Sequence, residues 1–338
     1  MAKRVTLGDI AKELGVSTAT VSLALNAAPG SRIPPETADK VRRVARKMGY
    51  RPNNAARALK TGKTGTIGFI SDEVTITRFA SPMITGLLDR ANELNHAVVM
   101  TETGHHDERY VSAVETLLDR GVDALVIGLM AARDISLPSV EKPVVICNGT
   151  SADHPSVLPD DFTAGSDAVR LLVDHGHQQI GLIGRYPAEE HAHASHNVAE
   201  RFAGIDAAMA AEGLQFTGEF QGTEWEPDLG YKGAIALVNG ECPTAILAAN
   251  DRIGFGVYQA LNDKGLNIPG DVSVLSFDDE DLASLVRPGL TTFRLPYREM
   301  GAMAAEVAVS TIENPTADTQ AADLLSLKLI ERDSIRAI

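Results

Sequence analysis

Residues 5–26 read Val5-Thr-Leu-Gly-Asp-Ile-Ala-Lys-Glu-Leu-Gly-Val-Ser-Thr-Ala-Thr-Val-Ser-Leu-Ala-Leu-Asn26. Leu7, Ile10, Ala11 and Leu14 recur at the three-and-four spacing of one apolar helix face. Gly15 breaks that helix. Ser17 is a ready N-cap for a second helix, whose stripe is Val21, Ala24 and Leu25. Two helices separated by about three residues, with small Ala11 at their crossing and Gly15 permitting the turn, form a helix-turn-helix pattern. A third helix is expected from about Pro35, with Val41, Val44, Ala45 and Met48 inward and Lys40, Arg42, Arg43, Arg46 and Lys47 outward. A plain three-helix bundle would share this apolar pattern, and charge separates the two readings. The first 60 residues carry 12 Lys/Arg against 4 Asp/Glu, a net of +8, while the remaining 278 carry 19 against 41, a net of −22. A basic module seeks phosphate and an acidic body is repelled by it, so the chain reads as a nucleic-acid reader with a second, non-DNA task.

In a helix-turn-helix the second helix enters the major groove by its N-terminal end. That places Thr18, Ala19, Ser22 and Leu23 on base edges. Thr18 can hydrogen-bond or touch a thymine methyl, and Ala19 and Leu23 offer apolar contact alone. None of the four is Arg, Asn or Gln, so direct readout should be modest, with positioning left to phosphate contacts from Thr6, Ser17, Thr20, Ser22 and backbone amides. The following segment, Tyr50-Arg-Pro-Asn-Asn-Ala-Ala-Arg-Ala-Leu-Lys-Thr-Gly62, has a stop at Pro52 and a cap at Asn53 for a short helix to about Lys60. One or two turns are unstable alone in water, and Leu59 among basic neighbours could act as a minor-groove wedge. A plain linker fits these residues equally well.

A chain of 338 residues with 44% hydrophobic content has room for two or three domains with large cores. Cys147 and Cys242 are too far apart for a metal spacing and read as buried apolar thiols in a reducing compartment. No apolar h-region follows Met1–Arg4, and runs such as 124–132 fall short of a membrane span, so a cytoplasmic location is expected.

From Thr66 onward, β-rich apolar runs (66–71, 97–101, 124–128, 144–148, 180–184, 245–249 and 272–277) alternate with helix patterns (82–94, 107–120, 162–175, 199–212, 229–238 and 252–264). Such alternation means parallel sheets covered on both faces, and about 270 residues suggest two lobes. Ligands of these sheets bind at the carboxyl ends of strands. Asp72, the pair Asp160 and Asp161, Asn250 with Asp251, and Asp278 with Asp279 all stand at strand ends. Each alone reads as a helix N-cap, and four together suggest a shared polar cleft. In the run 278–281 one residue is expected in the cleft and three are expected in solvent. Trp225, the one tryptophan, stands in a Gly- and Glu-rich loop and is read as an apolar platform for a ring. Arg201, expected to open a helix against its dipole, invites a ligand partner.

With these residues in place, the chain resembles the lactose/galactose repressor (LacI/GalR) family. The resemblance rests on Val5-Thr-Leu-x-Asp-Ile-Ala, Gly15-Val-Ser-x-x-Thr-Val-Ser, Asn26 and Tyr50-x-Pro-Asn…Ala56-x-x-Leu59. In the body it rests on His175-Gly-His-x-x-Ile-Gly-Leu-Ile-Gly, Arg201-x-x-Gly204, Ala249-Asn-Asp, Val274-x-x-Phe-Asp-Asp and Leu290-Thr-Thr. The resemblance implies an N-terminal all-α helix-turn-helix DNA-binding domain (1–50) and a hinge helix with linker (51–63). An α/β, two-lobed, periplasmic-binding-protein-like (type I) effector core with parallel sheets follows (64–338), its N-lobe about 64–164 and 294–321 and its C-lobe about 165–293 and 322–338. It implies a homodimer on a pseudo-palindromic double-stranded operator, with Asn26, Tyr50, Asn53, Ala56, Arg57 and Leu59 joining the DNA-contacting residues above, and Ala56 and Leu59 in the minor groove. Many relatives have Arg where this chain has Leu23. The resemblance further implies an effector set of Arg201, Asn250, Asp278, Asp160 and Trp225, with Asp72, Phe79, Ser195 and Asn197 from the cleft-lining loops. Carboxylates and amides that accept from hydroxyls, an Arg that donates in parallel, and an aromatic face suit a sugar. A purine or a phosphorylated-protein co-repressor is the alternative effector.

His191, His193 and His196 hint at zinc, but the spacing alone is weak and a solvated loop is the expectation. Gly62-Lys63-Thr64 lacks the first glycine and the preceding strand of a phosphate loop. No cofactor, metal or catalytic arrangement is expected. The rival class is a sugar carrier or enzyme with a basic N-terminus; the missing secretion signal argues against the first and the missing nucleophile–base pair against the second.

Overall fold

The structure, a computed structural model, describes residues 5–26, 33–50, 58, 62–72, 80–104, 107–188, 190, 195–314 and 324–338. The chain divides into two compact units, Met1–Thr64 and Gly65–Ile338.

In the first unit, α1 (Leu7–Leu14) begins in a capping box. The Thr6 hydroxyl accepts from Asp9 N at 3.3 Å while the Asp9 carboxylate accepts from Thr6 N at 2.8 Å, so two otherwise orphan amides are satisfied together. Gly15 ends the helix at φ 65°, a left-handed conformation that glycine adopts without a Cβ penalty. Ser17 then caps α2 (Thr18–Asn26), its Oγ accepting from Thr20 N at 3.0 Å. Proline occupies the first position of α3 (Pro35–Lys47), where no amide is needed. Ile10, Ala11, Val21, Ala24, Val41 and Ala45 are buried together, with Leu7, Leu14, Leu25, Val44 and Met48 packed around them. The apolar faces read from the sequence are therefore the faces that pack.

The second unit runs β1 (Thr66–Ser71), α4 (Ala80–Glu93), β2 (Ala97–Glu102), α5 (Asp107–Asp119), β3 (Ala124–Gly128), β4 (Val144–Cys147) and β5 (Ser156–Pro159). It continues α6 (Asp161–Asp174), β6 (Ile180–Arg185), α7 (His196–Ala211), β7 (Gly218–Gln221), α8 (Pro227–Asn239), β8 (Ala245–Ala248), α9 (Asp251–Asp263), β9 (Ser273–Asp278), α10 (Asp281–Leu285) and β10 (Thr291–Arg294). It closes with α11 (Tyr297–Glu313), β11 (Leu324–Leu325) and β12 (Lys328–Ile330). Two six-stranded sheets result, ordered β11-β5-β4-β3-β1-β2 and β12-β10-β9-β8-β6-β7. Their strand pairs are parallel apart from β12 against β10. Strands β3, β4 and β8 are buried along their whole length, which is why they read as unbroken apolar runs.

Among the described residues the chain passes between lobes three times. Helix α6 already packs into the second lobe through Ala164, Ala168, Val169 and Leu172, so the first passage falls just after β5, earlier than the expected break near 164. Helix α11 returns to the first lobe through Met300, Ala304, Ala305 and Ala308. Because β11 pairs with β5, the last passage follows Leu325, later than the expected 321. Strands β7, β10, β11 and β12 and helices α10 and α11 were not among the elements read from the sequence.

Helices α6 and α7 cross with glycine on each side. A Cβ added at Gly165 would fall on the Arg201 carbonyl oxygen, and one at Gly204 on the Phe162 carbonyl oxygen. That approach sets the geometry of the site described next. Cys147 is buried as expected, whereas Cys242 is exposed.

Candidate functional site

The first candidate surface lies in the N-terminal unit. Ser17, Thr18 and Ala19 are exposed at the start of α2, Thr20 and Ser22 are half-buried, and Leu23 is 46% exposed. An apolar side chain left in solvent beside the exposed Ser17, Thr18 and Ala19 has no packing role inside this unit. Thr6, Ser17 and Thr20 serve first as caps: the Thr6 hydroxyl donates to Asp9 at 2.7 Å, and Ser17 Oγ lies 2.9 Å from Thr20 Oγ1. Tyr50 is half-buried against the small core, with its amide on the Ala45 carbonyl at 2.9 Å. Asn26 ends α2. Lys40, Arg43, Arg46 and Lys47 are exposed on α3. Asn53, Ala56, Arg57 and Leu59 lie outside the described residues.

The second candidate is a cavity of 230 Å3 between the lobes of the second unit, lined among others by Asn148, Asp161, Tyr186, Asn197, Arg201, Trp225, Asn250, Asp278 and Tyr297. Several of these stand just past the carboxyl ends of β4, β6, β8 and β9, where parallel sheets place their ligands. Arg201 is 3% exposed and Asp161 1% exposed. Arg201 Nε and Nη2 each lie 2.7 Å from Asp161 Oδ1, and Nη1 donates to the Ala249 carbonyl at 3.0 Å. The guanidinium also sits 4.4 Å over the Phe277 ring. Burial opposes its charge, but Asp161 and then Asp278 outweigh that and push its pKa above the usual value. Burial pushes the Asp161 carboxyl up, against the pull of Arg201. The second carboxylate oxygen of Asp161, Oδ2, is buried with no hydrogen-bond partner.

Trp225 Nε1 donates to the Gly184 carbonyl at 2.8 Å, and its ring meets Tyr186 and Phe202 edge-on at 5.6 and 6.3 Å. It is thus both packed and cavity-lining. Asn250 caps α9, with Oδ1 accepting from Ile253 N at 2.9 Å and Nδ2 donating to the Trp225 carbonyl at 3.3 Å. Asn197 Nδ2 donates to Asn148 Oδ1 at 2.6 Å across the cleft, and His196 N donates to the Ala132 carbonyl at 3.0 Å beside it. Ser195 caps α7 by accepting from Val198 N at 3.3 Å, and also lines the cavity. Asp278 reaches the cavity from the end of β9 at φ 112°. Burial pushes the Tyr297 phenol up, and Asp278 and Asp161 add to the shift.

Four sequence expectations change here. Helix α7 begins at His196, so Arg201 sits in its second turn and its partner is Asp161 within the chain. Asp160 caps α6 through Thr163 N at 3.1 Å and does not line the cavity; its neighbour Asp161 does, because one step along a helix turns the side chain to another face. Asp72 is fully buried and does not line the cavity either. It accepts from Arg133 at 2.6 Å and from Met130 N at 3.1 Å, fixing a loop whose residues 130–132 do line it. Phe79 lies outside the described residues. In the run 278–281, Asp279 is half-buried against Arg332 at 2.5 Å and Glu280 against Arg252 at 3.6 Å, so only Asp281 is solvated. Asn148, Tyr186 and Tyr297 were missed. Asn148 follows β4 at φ 62°, the strand-end signal used elsewhere, whereas Tyr297 enters from α11 after a passage between lobes and gives no local signal.

A larger cavity of 520 Å3 adjoins this one, sharing Asp278, Leu295 and Tyr297 and continuing along Asp279, Glu280 and Arg294. The smaller one gathers the amides, the buried ion pair and the aromatic edge, and is the better ligand site. Among the described residues no cluster of His, Cys, Asp and Glu could hold a metal; His191 and His193 lie outside them. Among the described residues no helix is long and apolar enough to cross a membrane.

Residues 6–53 match the model of bacterial regulatory proteins, lacI family, and residues 169–335 that of a periplasmic binding protein-like domain. The chain is 30% identical to the ribose operon repressor of Escherichia coli (strain K12), over 97% of this chain and 99% of that protein. It is 29% identical to catabolite control protein A of Priestia megaterium, over 95% and 96%. Among solved structures it is similar to the lac repressor dimer bound to operator and the anti-inducer ONPF, with a TM-score of 0.71 and 26% identity, covering 99% of this chain and 100% of that one.

Proposed function

The chain belongs to the lacI family of bacterial regulatory proteins, and from that premise we propose a sequence-specific DNA-binding repressor of carbohydrate-utilisation genes, its operator affinity set by a small sugar in the 230 Å3 cavity. The observation that carries the reading is the joining, in one chain, of the exposed α2 face to a cleft of amides, a buried ion pair and an aromatic edge. A relative named for the ribose operon supports the sugar.

Two copies present their α2 helices to half-sites of a palindrome. Thr18, Ala19, Ser22 and Leu23 meet base edges, and Thr6, Ser17 and Thr20 meet phosphates. Asn26, Tyr50, Asn53, Ala56, Arg57 and Leu59 complete the contacts toward the palindrome's centre. In the core, Arg201, Asn250, Asp278, Trp225, Ser195 and Asn197 face the sugar, Asp161 and Asn148 join them, and Asp72 acts through the 130–132 loop. A sugar that binds one interlobe angle better shifts the core toward it, and a coupling of about 1–3 kcal/mol changes operator affinity roughly 5- to 150-fold. The chain is a regulator and no enzyme, and it works in the cytoplasm where its DNA lies.

Selection of binding sites from a random duplex pool, followed by gel-shift with and without sugars, tests the reading. The expected result is a palindromic site whose affinity changes with one sugar. Recovery of no preferred sequence would sink the DNA role. A response to a purine base in place of every sugar would replace the effector.

A further inference from the structure

The ion pair at the floor of the cavity carries information about the charge of its ligand. Arg201 is the one Lys or Arg among the described residues that line it, and two of its donors are committed to Asp161 Oδ1 and one to the Ala249 carbonyl. Asp278 lines the same cavity and interacts with the same guanidinium. Two carboxylates therefore share one cation, and the cavity walls carry a net negative charge. An arginine that would otherwise recruit an anion is already neutralised from inside the chain. Asp161 Oδ2, meanwhile, is an acceptor out of water with no donor on it, and a buried acceptor without a donor is unfavourable by the desolvation it has suffered.

We propose that Asp161 determines the charge class of the ligand: the cavity takes an uncharged sugar, one of whose hydroxyls donates to Asp161 Oδ2, and rejects phosphorylated and carboxylated sugars. The inference rests on the sugar reading above and narrows it. A phosphate brought beside two carboxylates, one of them 1% exposed, meets like charge, which costs more there than between groups in solvent. A hydroxyl supplies the missing donor with no charge to bury.

The test uses the full chain and its single tryptophan, Trp225, whose fluorescence reports occupancy of the cavity it lines. D-ribose, D-glucose and D-galactose are titrated beside ribose 5-phosphate, glucose 6-phosphate and galactose 6-phosphate, with the neutral 6-O-acetyl hexoses as size controls and calorimetry as a second readout. The expected result is binding of a parent sugar, binding of its acetyl ester within a few-fold, and binding of its phosphate at least about tenfold weaker. In Asp161→Asn, which keeps the shape and removes the charge, the gap between parent and phosphate should shrink several-fold. Equal binding of parent and phosphate overturns the charge rule and leaves the sugar reading intact. So does an acetyl ester excluded as strongly as the phosphate, since size would then decide, and so does an unchanged gap in a folded Asp161→Asn protein. The wild-type comparison stands if that variant does not fold. Silence from the whole panel overturns the sugar reading and this inference together.

Discussion

Gly165 on α6 lies against the carbonyl oxygen of Arg201 on α7, closer than any side chain would allow, while Gly204 lies in the same way against Phe162. The two helices cross at backbone contact, and that crossing sets the Arg201 guanidinium 2.7 Å from Asp161 at the start of α6. Gly165→Ala must push the helices apart, since the obstructing atoms are backbone and cannot rotate away. A loss of about 1–3 kcal/mol is expected from overpacking. Urea denaturation would show it as a lower midpoint, and Trp225 titrations as weaker sugar binding in the protein that remains folded. An unchanged midpoint would mean that the crossing is looser than its geometry.

Asp72 makes a different kind of contribution to the same cavity, through the loop it anchors. Its carboxylate is buried and accepts from both Arg133 and Met130 N. Asp72→Ala leaves the Met130 amide and a half-buried guanidinium without their acceptor. A cost of about 1–3 kcal/mol is expected, discounted because Arg133 is a third exposed and can turn to water. Sugar affinity should fall as well, because residues 130–132 lose their anchor. Normal sugar affinity in Asp72→Ala would limit Asp72 to stability.

On the DNA side, Ser17 and Leu23 should separate cleanly. Ser17 Oγ satisfies the Thr20 amide, so Ser17→Ala should destabilise the first unit by about 0.5–2 kcal/mol as well as weaken DNA binding. Leu23, 46% exposed, supports no core. Leu23→Arg should leave thermal stability within about 0.5 kcal/mol and yet change the sequence recovered from a random pool toward guanine at one position of each half-site. Recovery of the same sequence from both proteins would remove Leu23 from the base-reading face.

The helix-turn-helix was legible because each of its signals is local. Gly15 must take a positive φ, Ser17 must cap, and the apolar spacing has one face to fill. The sheets were legible for the same reason, since buried parallel strands are continuous apolar runs. Legibility failed where a neighbour in space decides the outcome. The sequence places both Asp160 and Asp161 after β5, but only the packing of α6 on α7 says which turns inward. Asn148 carries the same local signal as the other strand-end residues, since it directly follows β4, but only the packing of the second lobe brings Asn197 onto it. Helix α11 is rich in Ala, and its tie to the first lobe, like the entry of Tyr297 into the cavity, depends on a return passage that no local pattern records.

The last expectation concerns pH. Asp251 is buried at the start of α9, where its carboxylate accepts from the Ser276 hydroxyl at 2.5 Å and from Glu280 N at 2.7 Å. Burial pushes it up from 3.8 to about 6, with its hydrogen bonds pulling the other way. Between those two values the folded chain holds a proton at Asp251 that the unfolded chain has released. The contribution is therefore fully present below about pH 4 and is lost as pH rises through about 6, a change of about 3 kcal/mol over that window. Other carboxylates titrate in the same range, so the variant supplies the reference. In Asp251→Asn the amide has no proton to lose, and the difference in unfolding free energy between wild type and variant should move in the variant's favour from pH 4 to pH 7. Parallel stability curves for the two proteins across that range would place the Asp251 carboxyl back among ordinary solvated acids, and its burial against Ser276 would then have to be relieved by water reaching the end of β9.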